Sequence, residues 1–481
     1  MPEIKAADTS LYKILSTGSI IRLANRLLLL MNRDITNHNE RTAYIALKLA
    51  EHLPLNQKCS VQNLVFLSLF HTIGFFRDNN IFENNNKEDI VYFSNDKDII
   101  SKYIFGCYYL EYMTPIKNDA LALETFNQPF NKDLKKYIYQ EDYKNVLYLA
   151  ARLSDYIYHN PNTELPEDIN TIAPGYFDPE YVKAFYEINK DSIIVNKIKD
   201  SSYKKELFNY ISKIDYPIED HIKMVKLLIY LLDFKSTVTM QHSINTSCYA
   251  VCLGIRLNLS EKDLIDLFIS AFLHDVGKIA ISPRILESPN KLTNKERAVM
   301  QKHVEYSKSI LQGIINDKLV ENVYRHHEKL NGKGYPNHLT GEELSIVQRI
   351  LTVADITSAL NDSRSYKKEY SKERTESIIE DMTKGGELDG EITKFIQSDF
   401  DTIQKEIKYL QELLSVDFSN VIKKYNDYMF NDISEVAKTI SSLENKDDDV
   451  EEIHGIDDVE ELEEVNEEEN DDDIEELEEI D

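Results

Sequence analysis

The chain has 481 residues, 42% hydrophobic and 29% charged, with a net charge of −29, the composition of a globular protein too long for one ordinary core, so two domains are expected. The acidic balance, with no basic stripe, excludes duplex nucleic acid as a partner. The longest apolar runs, "IIRLANRLLLLM" and "MVKLLIYLLDF", are interrupted by Arg or Lys and stop short of the ~18–20 residues that a membrane crossing needs, so no membrane span is expected.

The opening segment "MPEIKAADTS" has none of the basic, apolar and small-residue regions of a secretory signal, and the expected location is the cytoplasm. In "LANRLLLLMNRDITNHNERTAYIALKLAEHL", and later in "SYKKELFNYISKIDYPIEDHIKMVKLLIYLLDF", apolar residues recur at three- and four-residue steps while strand-like alternation is scarce. The expected fold is all-α. Cysteines 59, 107, 248 and 252 form no C-x-x-C pair and are expected to be reduced packing residues.

The pattern then returns at an offset of roughly 200 residues. "NHNERTAYIALKLAEHLPL", from Asn37, matches "QHSINTSCYAVCLGIRLNL", from Gln241. "NLVFLSLFHTIGFF" parallels "DLFISAFLHDVGKI", setting His71 against His274. "LYLAARLSDYI" aligns with "QRILTVADITS", pairing Asp155 with Asp355, and "GYFDPEYVKAF" with "GELDGEITKFI". A tandem duplication is therefore expected, its first copy without a metal site: where the second reads His274, Asp275 and Lys278, the first reads His71, Thr72 and Phe75.

Between residues 242 and 355 the second copy collects His242, His274, Asp275, Lys278, His303, His326, His327 and Asp355. Imidazole and carboxylate suit zinc, iron or manganese, and this set exceeds what one ion takes from protein, so two metals are expected. Asp275 can offer one oxygen to each ion, and a water shared by two cations becomes a nucleophile toward a phosphoester. Burial of Asp275 among Leu, Val and Ile is tolerable only if cations neutralise it. Lys278, one turn beyond His274, could reach a phosphate.

The order His, His-Asp-x-Gly-Lys, His, His-His-Glu, Gly-Tyr-Pro, Asp, with "HDVGKIAI", "HHEKLNGKGYPNHLTGEEL" and "RILTVADITSAL", resembles the HD-GYP family of cyclic di-GMP phosphodiesterases, built on the HD phosphohydrolase fold. The resemblance covers residues 235 to 400, and the N-terminal copy is similar to the same fold with its site eroded. It implies His242, His274, Asp275 and Asp355 as ligands of one divalent ion, iron or manganese. Asp275 would bridge to a second ion held by His303, His326 and His327. Asp275 and Lys278 would be the catalytic residues, with Lys278 on the phosphate. Gly334, Tyr335 and Pro336 would shape the pocket loop, and Arg364 and Lys367 would clamp phosphates. Val238 stands where members with a third metal carry Glu, Ser358 where an Asp is common, and Ser365 where Pro is usual after Arg364.

The implied activity is hydrolysis of cyclic di-GMP to linear pGpG, to GMP or to both. The alternatives are a non-catalytic signalling scaffold responsive to cyclic dinucleotides, or a phosphohydrolase for another cyclic dinucleotide. The expected domains are 1–195, without a metal site; 196–430, catalytic; and 431–481, a helix end with an acidic tail. Twenty-two of the 84 acidic residues fall in 447–481, which holds no Lys or Arg, so this tail is expected to be disordered. Protein partners could dock on the tail or on the first copy, and a homodimer is compatible with the sequence.

Overall fold

A computed structural model describes residues 16–53, 55–77, 92–217, 237–286, 290–362 and 370–444, with isolated residues in 218–236 and at 288. The acidic tail, Arg364 and Lys367 lie outside the described residues. Among those described, the secondary structure is helical, with one isolated antiparallel bridge between Asn331 and Thr340. The all-α expectation holds.

The longer helices, numbered in chain order, begin with α1 (Thr17–Met31), α2 (Arg33–His52), α3 (Val61–Phe70), α4 (Lys97–Met113), α5 (Gln140–His159), α6 (Pro179–Ile188) and α7 (Tyr203–Ile211). They continue with α8 (Thr237–Arg256), α9 (Glu261–Leu273), α10 (His303–Leu311), α11 (Asp317–Tyr324), α12 (Ile346–Asn361), α13 (Lys372–Lys384) and α14 (Gly390–Glu444). The apolar periodicity runs from Leu23 to Leu53 without Gly or Pro, yet the helix breaks at Asn32. There the extended backbone lets the Asn32 side chain accept from the N–H groups of Asp34 and Ile35, both at 3.0 Å, and cap α2. Ser345 caps α12 with Gln348 closing a reciprocal box, which fixes where the helix bearing Asp355 begins.

The same packing scheme occurs twice. In the first half α2 packs on α3 and α5, and α4 covers the turn 73–77. In the second, α8 packs on α9 and α12, and α10 covers the turn 276–280. The short helix Ile193–Lys199 and α7 lie against α5, α2 and α1, so first-half packing continues past residue 195.

Among the described residues, α1 and α14 both join the halves. Helix α1 packs on α10 and on the turn 276–280, and the Arg26 guanidinium donates to the Ile310 carbonyl at 2.7 Å, at the C-terminal end of α10. Helix α14, 55 residues long, buries Ile392, Ile396, Phe400, Ile403 and Ile407 at helical spacing and packs on both α8 and α4. Farther along it, Lys424 pairs with Glu111 of α4 at 2.9 Å, and the Arg77 guanidinium lies over the rings of Phe105 and Tyr425. No helix among the described residues is long and apolar enough to cross a membrane.

Candidate metal centre

Helix ends deliver most of the candidate ligands. His274 follows α9, His303 opens α10, and His326 and His327 follow α11, while His242 and Asp355 stand within α8 and α12. The adjoining turn, 276–280, presses against α10 so closely that a Cβ on Gly277 would meet the His303 carbonyl at 2.0 Å, so only glycine fits. Ser307 locks this contact, accepting from the Gly277 N–H at 2.8 Å and donating to the His274 carbonyl at 3.0 Å.

The seven expected ligands come together in one buried cluster. His274, His303 and His326 are fully buried, Asp275 is 1% exposed and Asp355 3%. Three sets of donor atoms lie within 4.8 Å of one another: His242 with His274 and Asp355, His303 with His326 and His327, and His274 with Asp275 and His326. The two oxygens of Asp275 face different sets. Its Oδ2 lies 3.2 Å from His274 Nε2 and 3.7 Å from His242 Nε2, whereas Oδ1 lies 3.4 Å from His303 Nε2. Lys278, 7% exposed, holds its Nζ 3.0 Å from Asp275 Oδ2.

The electrostatics suit cation binding. Burial holds the His303 imidazole at about 4 and His326 at about 3, so both are neutral at pH 7. Burial opposes charge on His274 as well, but Asp275 and Asp355 outweigh it and lift that imidazole to about 10. Burial would raise Asp275, yet the charges of His274 and Lys278 hold it well below the usual carboxylate range. Asp355 is likewise held down, burial being overcome by His242 and His274. Both Asp275 oxygens and His274 Nε2 are buried without a hydrogen bond of good geometry, a costly arrangement that a divalent cation among them would relieve. The donor set and these orphaned atoms fit a metal.

Around the cluster, the Gly334-Tyr335-Pro336 loop closes over His327, whose ring stacks on Tyr335 at 4.7 Å. A Cβ on Gly334 would meet backbone atoms of residues 327 to 329 at 2.3–2.5 Å. Glu328, 1% exposed, anchors the loop by accepting from the N–H groups of Asn337 at 2.6 Å and Leu339 at 2.9 Å. Sequence reasoning gave Glu328 no role, although its place in "HHE" marked it. It also missed Asp362, whose Oδ2 lies 2.8 Å from His242 Nδ1. Cys248 and Cys252 are buried free thiols, as expected.

In the first half the corresponding place is filled by rings. His38 and His71 keep a centroid separation of 5.3 Å, the same as His242 and His274. Phe126 packs on His71 at 5.8 Å much as His326 packs on His274 at 4.9 Å, and Tyr92 stacks on His38 at 4.2 Å. Lys102 takes the place of His303, its carbonyl 1.9 Å from a Cβ built on Gly74. The expected pairing of Asp155 with Asp355 is one helical turn out of register. Ser154 Oγ lies 3.3 Å from His38 Nδ1 and Ser358 Oγ 3.2 Å from His242 Nδ1, which equates Ser154 with Ser358 and leaves Ala151 opposite Asp355. Asp155 instead reaches His159 at 3.3 Å.

Residues 226–392 match the family model described as HD domain. The 3′3′-cGAMP-specific phosphodiesterase 3 of Vibrio cholerae is 31% identical over 222 residues, covering 45% of this chain and 48% of that protein. The cyclic di-GMP phosphodiesterase response regulator RpfG of Xanthomonas campestris is 39% identical over 119 residues, covering 24% of this chain and 32% of that protein. The chain thus spans about half or less of the length of these curated relatives. The crystal structure of a cyclic GMP-AMP specific phosphodiesterase of V. cholerae, V-cGAP3, shares the fold with a TM-score of 0.52 at 21% identity, covering 80% of this chain and 98% of that one. Residues 226–392 therefore carry an HD domain, and through them the chain is similar to relatives named as cyclic dinucleotide phosphodiesterases.

Proposed function

We propose that the second half of this chain binds two divalent metal ions and hydrolyses a 3′,3′-linked cyclic dinucleotide. The observation that carries this reading is the split of Asp275, one oxygen toward His274 and His242 and the other toward His303. His242, His274, Asp355 and Asp275 Oδ2 would hold one ion, and Asp275 Oδ1 with His303, His326 and His327 the second. Iron or manganese suits such a mix of imidazole and carboxylate. When bound, the ions supply Lewis acidity toward the phosphodiester and acidify a water.

The chain's own groups do the rest. Lys278 Nζ, beside Asp275, is placed to neutralise a non-bridging phosphate oxygen. Tyr335 and Pro336, on the loop that Glu328 fixes, form a wall against which a base and ribose can be oriented. Hydrolysis adds water across one linkage: a new P–O bond forms, the bond from phosphorus to the 3′ oxygen breaks, and that oxygen takes the proton. The product is a linear dinucleotide with a 5′ phosphate, which a second round can cut to mononucleotides.

Relatives named for 3′3′-cGAMP and for cyclic di-GMP both support a guanine-containing cyclic dinucleotide as substrate. The longer matches are to the cGAMP-specific enzymes, which favours 3′3′-cGAMP over the cyclic di-GMP first expected. The first half, with its rings in place of ligands, is read as a degenerate copy ending near residue 216, retained for packing or sensing. Chromatography of products after incubating anaerobically purified, manganese- or iron-loaded protein with 3′3′-cGAMP, cyclic di-GMP and cyclic di-AMP tests the proposal. Consumption of a guanine-containing substrate supports it, and metal-loaded protein that consumes none overturns it.

A further inference from the structure

Three of the cluster imidazoles fix their orientation in one way. His274, His303 and His326 each direct Nδ1 to the backbone carbonyl three residues earlier, at 2.6, 2.8 and 2.6 Å. Each follows a helix end, where carbonyls lack a helical N–H partner, so a neighbouring imidazole N–H can use one. In its neutral form a ring held this way carries its proton on Nδ1 and presents the Nε2 lone pair to the cluster centre.

His242 cannot use this device, because it stands inside α8, where the upstream carbonyls are taken by helical hydrogen bonds. Its Nδ1 instead faces Asp362 Oδ2 at 2.8 Å, while Nε2 faces Asp355 Oδ1 at 2.9 Å. Asp362 caps the C-terminal end of α12, is 8% exposed, and is itself held on both oxygens. The Ser358 hydroxyl donates to Oδ2 at 3.1 Å, and the Asn245 side-chain amide donates to Oδ1. Asn245 Oδ1 in turn accepts from Gln241 at 2.9 Å and from Gln411 of α14, tying the arrangement to the helix that reaches the first half.

We infer that Asp362 is the positioning residue of the centre: it holds the Nδ1–H tautomer of His242 and so leaves Nε2 free for a metal ion. This rests on the reading of His242 as a ligand. Two carboxylates then flank one imidazole in distinct roles, Asp355 toward the ion and Asp362 away from it, the orientation of a ligating ring by an outer carboxylate. Ser358, one turn before Asp362 on the same face of α12, lies 3.2 Å from the same Nδ1. A carboxylate could therefore serve from position 358 equally well, provided Asp362 were shortened to make room.

The test uses the full chain and titrates manganese alone, with the ion retained after dialysis against a weak chelator as its readout, alongside kcat and KM. Asp362→Ser and the isosteric Asp362→Asn should lower manganese affinity by about 10–100-fold with helical content unchanged. Loss should appear in kcat more than in KM, since the substrate is not touched. The relocated pair S358D/D362S should recover manganese binding to within a few-fold of wild type. Wild-type affinity in D362S and D362N, or a double variant no better than D362S, would overturn the inference. Tight manganese binding by a wild type that cleaves no dinucleotide would defeat the proposed activity while leaving this assignment standing.

Discussion

His303 and His326 turn their Nε2 atoms toward each other at 3.3 Å while each holds its Nδ1 against a backbone carbonyl. With both rings neutral and both protons on Nδ1, two lone pairs meet in a buried space. That arrangement is unfavourable by itself and favourable around a cation, so the fold holds these side chains ready for an ion.

Replacing one of the pair by what the first half carries is therefore informative. His326→Phe copies Phe126, which packs on His71. The variant should stay folded and melt no lower than wild type when metal-free, because a buried lone-pair repulsion is removed. It should lose one ion and at least about 100-fold in kcat, since even an outer partner of a ligand is worth up to that much. Metal analysis beside thermal unfolding checks both parts.

The two halves should respond differently to the same change. His274→Ala should abolish turnover and metal loading. His71→Ala should leave turnover per folded molecule within a few-fold of wild type and lower stability by about 1–3 kcal/mol, through a buried cavity. Activity normalised to folded protein, with denaturant melts of both variants, separates the effects.

Metal-free protein should become less stable in alkali. The His274 imidazole rises from an ordinary value of about 6.5 when unfolded to about 10 when folded. A folded value above the unfolded one means the folded state binds the proton more tightly. That contribution is fully present below about pH 6.5 and is lost as pH rises toward 10. Asp275→Asn removes the largest attraction opposing burial, so the alkaline slope should flatten. Urea midpoints of metal-free wild type and variant across pH 6–10 measure it.

Arg26 connects the halves at the helix that His303 opens. Its Nη1 donates to the carbonyls of Ile310, Ser309 and Gln312, at 2.7, 3.4 and 3.3 Å. A cation at a helix C-terminus is worth about 0.3–1 kcal/mol, so Arg26→Ala should lower stability by that order and Arg26→Lys by less. Differential scanning calorimetry of the metal-loaded variants reads the change.

Gly277→Ala is expected to be the most damaging single methyl in the second half. Its Cβ would stand 2.0 Å from the His303 carbonyl and 2.5 Å from the Ser307 amide, with backbone on both sides unable to give way. Overpacking of this kind costs about 1–3 kcal/mol or displaces α10, and with it His303. A fall in retained metal out of proportion to the fall in melting temperature would distinguish displacement from general destabilisation.

The sequence made the all-α class and the seven side chains that cluster legible because both rest on local signals: helical periodicity, and residue types that have few reasons to be buried together except around a cation. Features set by helix rotation were not legible. Matching Asp155 to Asp355 followed residue identity, whereas the Ser154 and Ser358 hydroxyls show that the helices align one turn away. Asp362 escaped notice for the same reason, since only the approach of α12 to α8 brings it to His242. The break at Asn32 was hidden because apolar spacing continues through it while a side-chain cap ends the helix. Arg364 and Lys367 carry no structural account because they lie outside the described residues.

The central claim is that one carboxylate serves two ions, and the metal content of anaerobically purified protein measures it most directly. Wild type should carry two equivalents of iron or manganese per chain, and Asp275→Ala should lose both together. A wild type saturating at one equivalent, or an Asp275→Ala variant that keeps two, would contradict the account.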